Sequence, residues 1–107
     1  MYDFVLKNLF NKALPYYGDK VAIKFEEREI TYRELERQSN QLAHALIRHD
    51  IELEDAVGMI MPNCIEFAVV DLGIVKAGAT KVAPNAMLSE NDYLHILQQS
   101  GVKLLIV

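Results

Sequence analysis

Residues 56–82 constrain the fold more than any other stretch of this chain. Residues 56–61 (AVGMIM) are apolar, long enough for a strand and too short for a helix. Pro62 cannot donate to a sheet ladder and ends the run. Asn63 follows as a helix N-cap, with Glu66 three residues on, where a capping box places an acid. Residues 64–77 are then apolar on most sides (Ile65, Phe67, Val69, Val70, Leu72, Ile74, Val75), the pattern of a buried helix rather than one laid on a surface. Gly78 supplies the left-handed residue that closes it. The chain turns extended again at residues 80–82. Strand, buried helix and strand in that order predict a right-handed crossover unit with its strands parallel.

The flanking segments extend this unit. Asp3 caps a helix over residues 4–14, whose Leu6, Leu9, Phe10 and Ala13 share one face; Pro15 and Gly18-Asp19 end it. Residues 21–25 and 29–31 make a hairpin about the polar turn Glu26-Glu27-Arg28. Thr31 and Glu34 form a capping box, with Ile30 stapled to Leu35. They open an amphipathic helix whose Leu35, Ser39, Leu42, Ala43 and Leu46 line one face, while Glu36, Arg37, Gln41, His44 and Arg48 go elsewhere. Residues 49–55 read as a polar loop and residues 83–87 as another. Ser89 and Asp92 cap a further helix, with Leu88 stapled to Tyr93, that stops at Gly101. Residues 103–107 are a last strand. The order predicts an α/β fold: a mostly parallel sheet with flanking helices and an N-terminal β-hairpin. The chain stops inside that apolar strand, and Met1 stands directly before a capped helix. Residues 1–107 are therefore expected to be one truncated N-terminal subdomain of a longer protein.

Composition removes several classes of function. Half the residues are apolar (51%), which argues against disorder, and the net charge of −4 comes from interspersed acids and bases, with no basic face for nucleic acid. Glu66, Asp71 and Lys76 interrupt the longest apolar stretch, so no transmembrane helix is predicted. No secretory signal is visible. One cysteine cannot form an internal disulfide and fits a reducing compartment, so the expected location is the cytoplasm.

Few residues offer chemistry. No glycine-rich phosphate loop occurs. His44, His49 and His95 have no metal-ligand spacing with one another or with Cys64. Cys64 falls at the first turn of a helix, where the dipole lowers a thiol pKa. It reads either as a reactive thiol or, with no histidine partner nearby in sequence, as a small packing residue. Asp71 amid apolar residues reads as a site or partner surface, or as a solvated edge or an ion pair with a nearby arginine. Lys81 reads as a phosphate contact or as a strand's solvent face, and the charges from Glu26 to Glu29 as a solvated turn. The residues assign no catalytic, cofactor-binding or metal-binding position.

Read as motifs, they resemble a known family. Thr31-Tyr32-Arg33-Glu34-Leu35 with Asn40, Leu42-Ala43 and Leu46, then Pro62-Asn63 with Glu66-Phe67, then Leu72-Gly73-Ile74-Val75-Lys76-Ala77-Gly78-Ala79, then Asn85 and Leu88-Ser89, are similar in order and spacing to acyl-adenylate-forming enzymes. The resemblance spans nearly the whole chain. Ala83-Pro84-Asn85-Ala86 departs from it, with its proline displaced by one position, and Lys81 stands where an aromatic or aliphatic residue is common. The resemblance implies a parent enzyme that uses ATP and magnesium to turn a carboxylic acid, fatty or aromatic, into an acyl-adenylate. It also implies passage of the acyl group to coenzyme A or, alternatively, to a carrier protein's thiol. The family's phosphate loop, nucleotide pocket and catalytic lysine are expected beyond Val107, so the 107 residues alone are expected to be inactive and to bind none of these cofactors. A non-catalytic interaction domain on the same scaffold is the alternative of another class, and a flavodoxin-like module is a third. An exposed sheet edge at residues 103–107 is expected to drive self-association.

Overall fold

The structure is a computed structural model that describes residues 15–62, 64–84 and 88–107. The helix expected over 4–14 with its Asp3 cap, the Asn63 cap and loop residues 85–87 lie outside the described residues. Residues 15–17 are helical. The turn comes at Gly18, whose carbonyl accepts the Arg33 N–H at 2.9 Å.

Strands β1 (Val21–Phe25) and β2 (Arg28–Thr31) form the expected antiparallel hairpin. Its turn has two residues, not three, because Arg28 pairs with Phe25. Glu26 takes a φ of 57°, the left-handed backbone that closes so short a loop. Helix α1 (Tyr32–Arg48) starts on the expected box: the Glu34 N–H donates to Thr31 Oγ1 at 3.1 Å, and the Thr31 hydroxyl donates to Glu34 Oε1 at 3.2 Å. Leu35, Ser39, Ala43 and Leu46 are buried along it.

Next come β3 (Ala56–Met59), α2 (Ile65–Lys76), β4 (Thr80–Val82), α3 (Glu90–Gln99) and β5 (Leu104–Ile106). The three strands form a parallel sheet in the order β4-β3-β5, with Val57 opposite both Lys81 and Leu104. β3 ends two residues earlier than the sequence predicts, although the Ile60 N–H still donates to the Ile106 carbonyl at 3.0 Å. The N-cap of α2 is Cys64, which makes no side-chain capping bond. Glu66 therefore sits one position nearer the helix start than a box on Asn63 requires.

Helices α1, α2 and α3 end alike. After α2, the N–H groups of Gly78 and Ala79 donate to Val75 and Ile74, with Gly78 at φ 77°. After α3, Gly101 and Val102 donate to Gln98 and Leu97, with Gly101 at φ 64°. After α1, Asp50 and Ile51 donate to Ile47 and Leu46, with Asp50 at φ 65°. Each is a Schellman closure. The third delivers Ile51, 4% exposed, into the core, so residues 49–55 are not the wholly polar loop read from sequence.

Alternation along β3 sorts the layers. Val57 and Met59, 0% and 1% exposed, face α1 and α2, where Ala43, Leu46, Ile51, Val70, Ile74 and Ala77 complete the main core. Each such fully buried aliphatic or Met side chain contributes on the order of 1.5–3 kcal/mol. Gly58 points the other way, and a Cβ there would lie 3.0 to 3.3 Å from Leu105, Leu97 and Val102. That face is covered by α3, none of whose residues is buried. A second cluster joins Ile30, Leu35 and Ile65 to Ala22, Ile23, Ala68, Val69 and Leu72. Helix α2 thus lies between the hairpin and the parallel sheet and buries apolar groups against both. That arrangement explains why its sequence has no polar face.

Candidate functional site

In open parallel sheets ligands bind at the C-terminal ends of strands, where successive connections leave on opposite faces. Here that point lies between β3, which runs into α2 on one face, and β4, which leads toward α3 on the other. The described residues at these strand ends are Ile60, Met61, Pro62 and Cys64 on one side and Ala83 and Pro84 on the other. They offer apolar surface and no titratable group except the Cys64 thiol. Such a crevice mouth can bound the apolar part of a ligand, but it supplies no carboxylate, imidazole or cation.

A charged group beside this mouth is already engaged. Glu66, in the first turn of α2, pairs with Arg28 of β2 at 2.7 Å. The bond from Arg28 holds the Glu66 carboxyl below the usual carboxylate range, with its own backbone N–H and the Cys64 side chain adding to the effect. Glu66 in turn raises the Arg28 guanidinium. At the opposite end of the sheet Asp55 is also held low, first by the Glu52 N–H at 2.7 Å and then by Lys103 at 3.2 Å. That cluster ties the loop before β3 to the start of β5.

The structure brings two of the singled-out residues together. Asp71 of α2 and Lys81 of β4 form an ion pair at 2.9 Å, each a little over one-third exposed. Asp71 is therefore an ion pair, with lysine, and not a free charge. Half-buried Cys64 caps α2. His44, His49 and His95 are exposed, on α1, at its C-cap and on α3, and are not brought together. Among the described residues no three His, Cys, Asp or Glu side chains lie where they could hold a metal ion. An open groove of about 350 Å³ between α3 and β5 is lined by Leu94, Leu97, Val102, Leu104 and Leu105, with Gln98 and Lys103 as its polar members.

One polar cluster went unread in the sequence. The Lys76 ammonium, its side chain 6% exposed, donates to Glu36 Oε2 at 2.6 Å, Ser39 Oγ at 2.8 Å and Asn40 Oδ1 at 3.0 Å. Asn40 donates to Glu36 Oε1 at 3.0 Å, and the Ser39 hydroxyl to the Glu36 carbonyl at 3.1 Å. Glu36, placed off the inner face of α1 by the sequence pattern, is 12% exposed. Its signal was a Glu, Ser and Asn at i, i+3 and i+4 on one helix and a lysine in the last turn of another that is apolar on most sides.

The class these features define is an α/β scaffold unit: an open parallel sheet, a buried crossover helix and a packed hairpin, whose polar groups are spent on holding elements together. The chain belongs to the AMP-binding enzyme family, whose description matches residues 10–107. It is 34% identical over 101 residues to a medium/long-chain-fatty-acid–CoA/3-oxocholest-4-en-26-oate–CoA ligase of Mycobacterium tuberculosis, covering 94% of this chain and 18% of that protein. It is 36% identical over 90 residues to a 3-hydroxybenzoate–CoA/4-hydroxybenzoate–CoA ligase of Thauera aromatica, covering 84% of this chain and 17% of the relative. In structure it is similar to NpsA-ThdA, an artificially fused adenylation-PCP di-domain of Klebsiella oxytoca, with a TM-score of 0.84 at 30% identity over 92% of this chain and 19% of that one. The chain thus spans about a fifth of the length of these relatives.

Proposed function

We propose that this chain is the N-terminal subdomain of a cytoplasmic acid–thiol ligase. In that reading a fatty or aromatic carboxylic acid is adenylated by ATP and passed to the thiol of coenzyme A. The carboxylate oxygen bonds to the α-phosphorus as pyrophosphate leaves; the thiol then bonds to the carbonyl carbon as AMP leaves. The observation that carries the reading is the family match over residues 10–107, together with the acid–CoA ligases among the relatives. No step of this chemistry is assigned to the described residues, which supply neither a phosphate loop nor a metal cluster. Their part is to build the sheet and set the crossover helix. A single unpaired cysteine accords with a reducing compartment, and among the described residues no helix is long and apolar enough to cross a membrane.

The test is ATP–pyrophosphate exchange by the polypeptide that carries this sequence, with panels of aryl and fatty acids. Acid-dependent exchange followed by a coenzyme A thioester supports the reading; exchange with no thioester to coenzyme A moves it to a carrier-loading adenylation enzyme, which the resemblance to the adenylation-PCP di-domain also fits. No exchange with any acid would count against both and favour a non-catalytic scaffold.

A further inference from the structure

Helix α2 has no polar face for burial to choose. Its three charges, Glu66, Asp71 and Lys76, are five residues apart, so successive ones are rotated by about 140° around the axis at about 100° per residue. Apolar groups fill the intervals and are buried against two different layers. The hydrophobic effect is non-directional and cannot by itself tell one rotation of such a helix from another. Each charge, however, meets a different element. Glu66 reaches Arg28 on β2, Asp71 reaches Lys81 on β4, and Lys76 reaches Glu36, Ser39 and Asn40 on α1. Two of these contacts are partly solvated: the Arg28 and Glu66 side chains are 65% and 49% exposed, and Lys81 and Asp71 are 37% and 36% exposed. The Lys76 contact is not. With Lys76 and Glu36 at 6% and 12%, any other rotation or shift of α2 against α1 would leave both charges buried and apart.

We propose that the Lys76–Glu36–Ser39–Asn40 cluster is an orientation pin. It selects one rotation and one axial setting of α2 on α1, and adds little net stability over an apolar replacement. Its selectivity comes from the penalty it places on the alternatives. Gly73, three residues before Lys76, lies where a Cβ would come within 2.8 Å of Leu42, so α1 and α2 approach closely beside the cluster.

The chain carries its own reporter. Cys64 is the single cysteine and caps α2 at the end away from the pin, so its thiol-labelling rate follows the setting of the helix. The decisive variant is the triple replacement Glu36→Leu, Asn40→Leu and Lys76→Met, with Lys76→Met alone and the solvated pair Asp71→Asn, Lys81→Gln as comparisons. The triple variant is expected to keep wild-type helical circular dichroism and a melting temperature at or above wild type. Its Cys64 should label about tenfold faster, and its α2 amide resonances should broaden or split. Lys76→Met alone should melt well below wild type, and the solvated-pair variant should label like wild type. A triple variant that labels at the wild-type rate with single sharp resonances would overturn the proposal. So would one that unfolds or melts below Lys76→Met, because the cluster would then be a source of stability rather than of orientation.

Discussion

Gly73 shows what single positions do here. A Cβ built on it would lie 2.8 Å from Leu42 Cδ2 and 3.0 Å from its Cβ and Cγ, all atoms of a side chain held between two helices. Gly73→Ala is therefore expected to destabilise the fold by about 1–3 kcal/mol, read as a lower urea midpoint; an unchanged midpoint would show that α1 and α2 can part without cost. Titration is set by two other residues. The carboxyls of Glu66 and Asp55 are held below their ordinary values by Arg28 and by the Glu52 N–H. A lowered carboxyl contributes stability above its unfolded pKa, near 4, and loses that contribution as pH falls through the lower folded value. Acid unfolding curves should therefore steepen below about pH 4, and Asp55→Asn should flatten that limb while leaving the slope near neutrality alone. The packing role of Gly73 was legible in the sequence, because a glycine inside an apolar helix marks a close approach. The buried partnership of Lys76 was not. A lysine near a helix C-terminus reads equally well as a solvated complement to the dipole, and only the crossing of α1 over α2 brings Glu36 beneath it.

The elements follow local rules closely, and they depart from the reading where the backbone does something a side chain does not announce. Capping by Thr31 and Ser89 is visible in sequence and present in the structure, with Asp92 N–H donating to Ser89 Oγ at 3.3 Å. The glycine closures at 78 and 101 are equally plain. The closure of α1 is not, because Asp50 fills the left-handed position that glycine fills twice elsewhere. An aspartate there bears a strain that glycine lacks, partly offset by the greater freedom of glycine in the unfolded chain. Asp50→Gly is expected to raise stability by about 0.5 kcal/mol, since Lys103 bonds the carbonyl of residue 50 and not its side chain. A fall in the thermal midpoint would mean that the Asp50 carboxylate makes a contribution of its own. The two-residue hairpin turn eluded the sequence for the same reason: Glu26 at positive φ has no glycine to signal it.

The whole molecule divides its labour unevenly. One helix is buried between two cores, the central strand is sealed on one face and thinly covered on the other, and among the described residues at the crevice mouth the Cys64 thiol is the one titratable group. The fold class and the order of the strands' companions were legible, because periodicity switches between two and 3.6 along the chain. The sheet order β4-β3-β5 was not, since nothing local states which neighbour β5 will choose. The family was legible through motifs whose physical roles are caps, closures and packing, which is why they mark the scaffold and not the site. In the proposed function these residues are scaffold for a chemistry carried by other residues of a longer enzyme. The measurement is carboxylate-dependent ATP–pyrophosphate exchange by this chain alone, and by a chimera in which it replaces the matching segment of the Thauera aromatica hydroxybenzoate ligase. No exchange by the chain alone and hydroxybenzoate-dependent exchange by the chimera are expected. Exchange by the chain alone, or a folded chimera that has lost it, would contradict the claim.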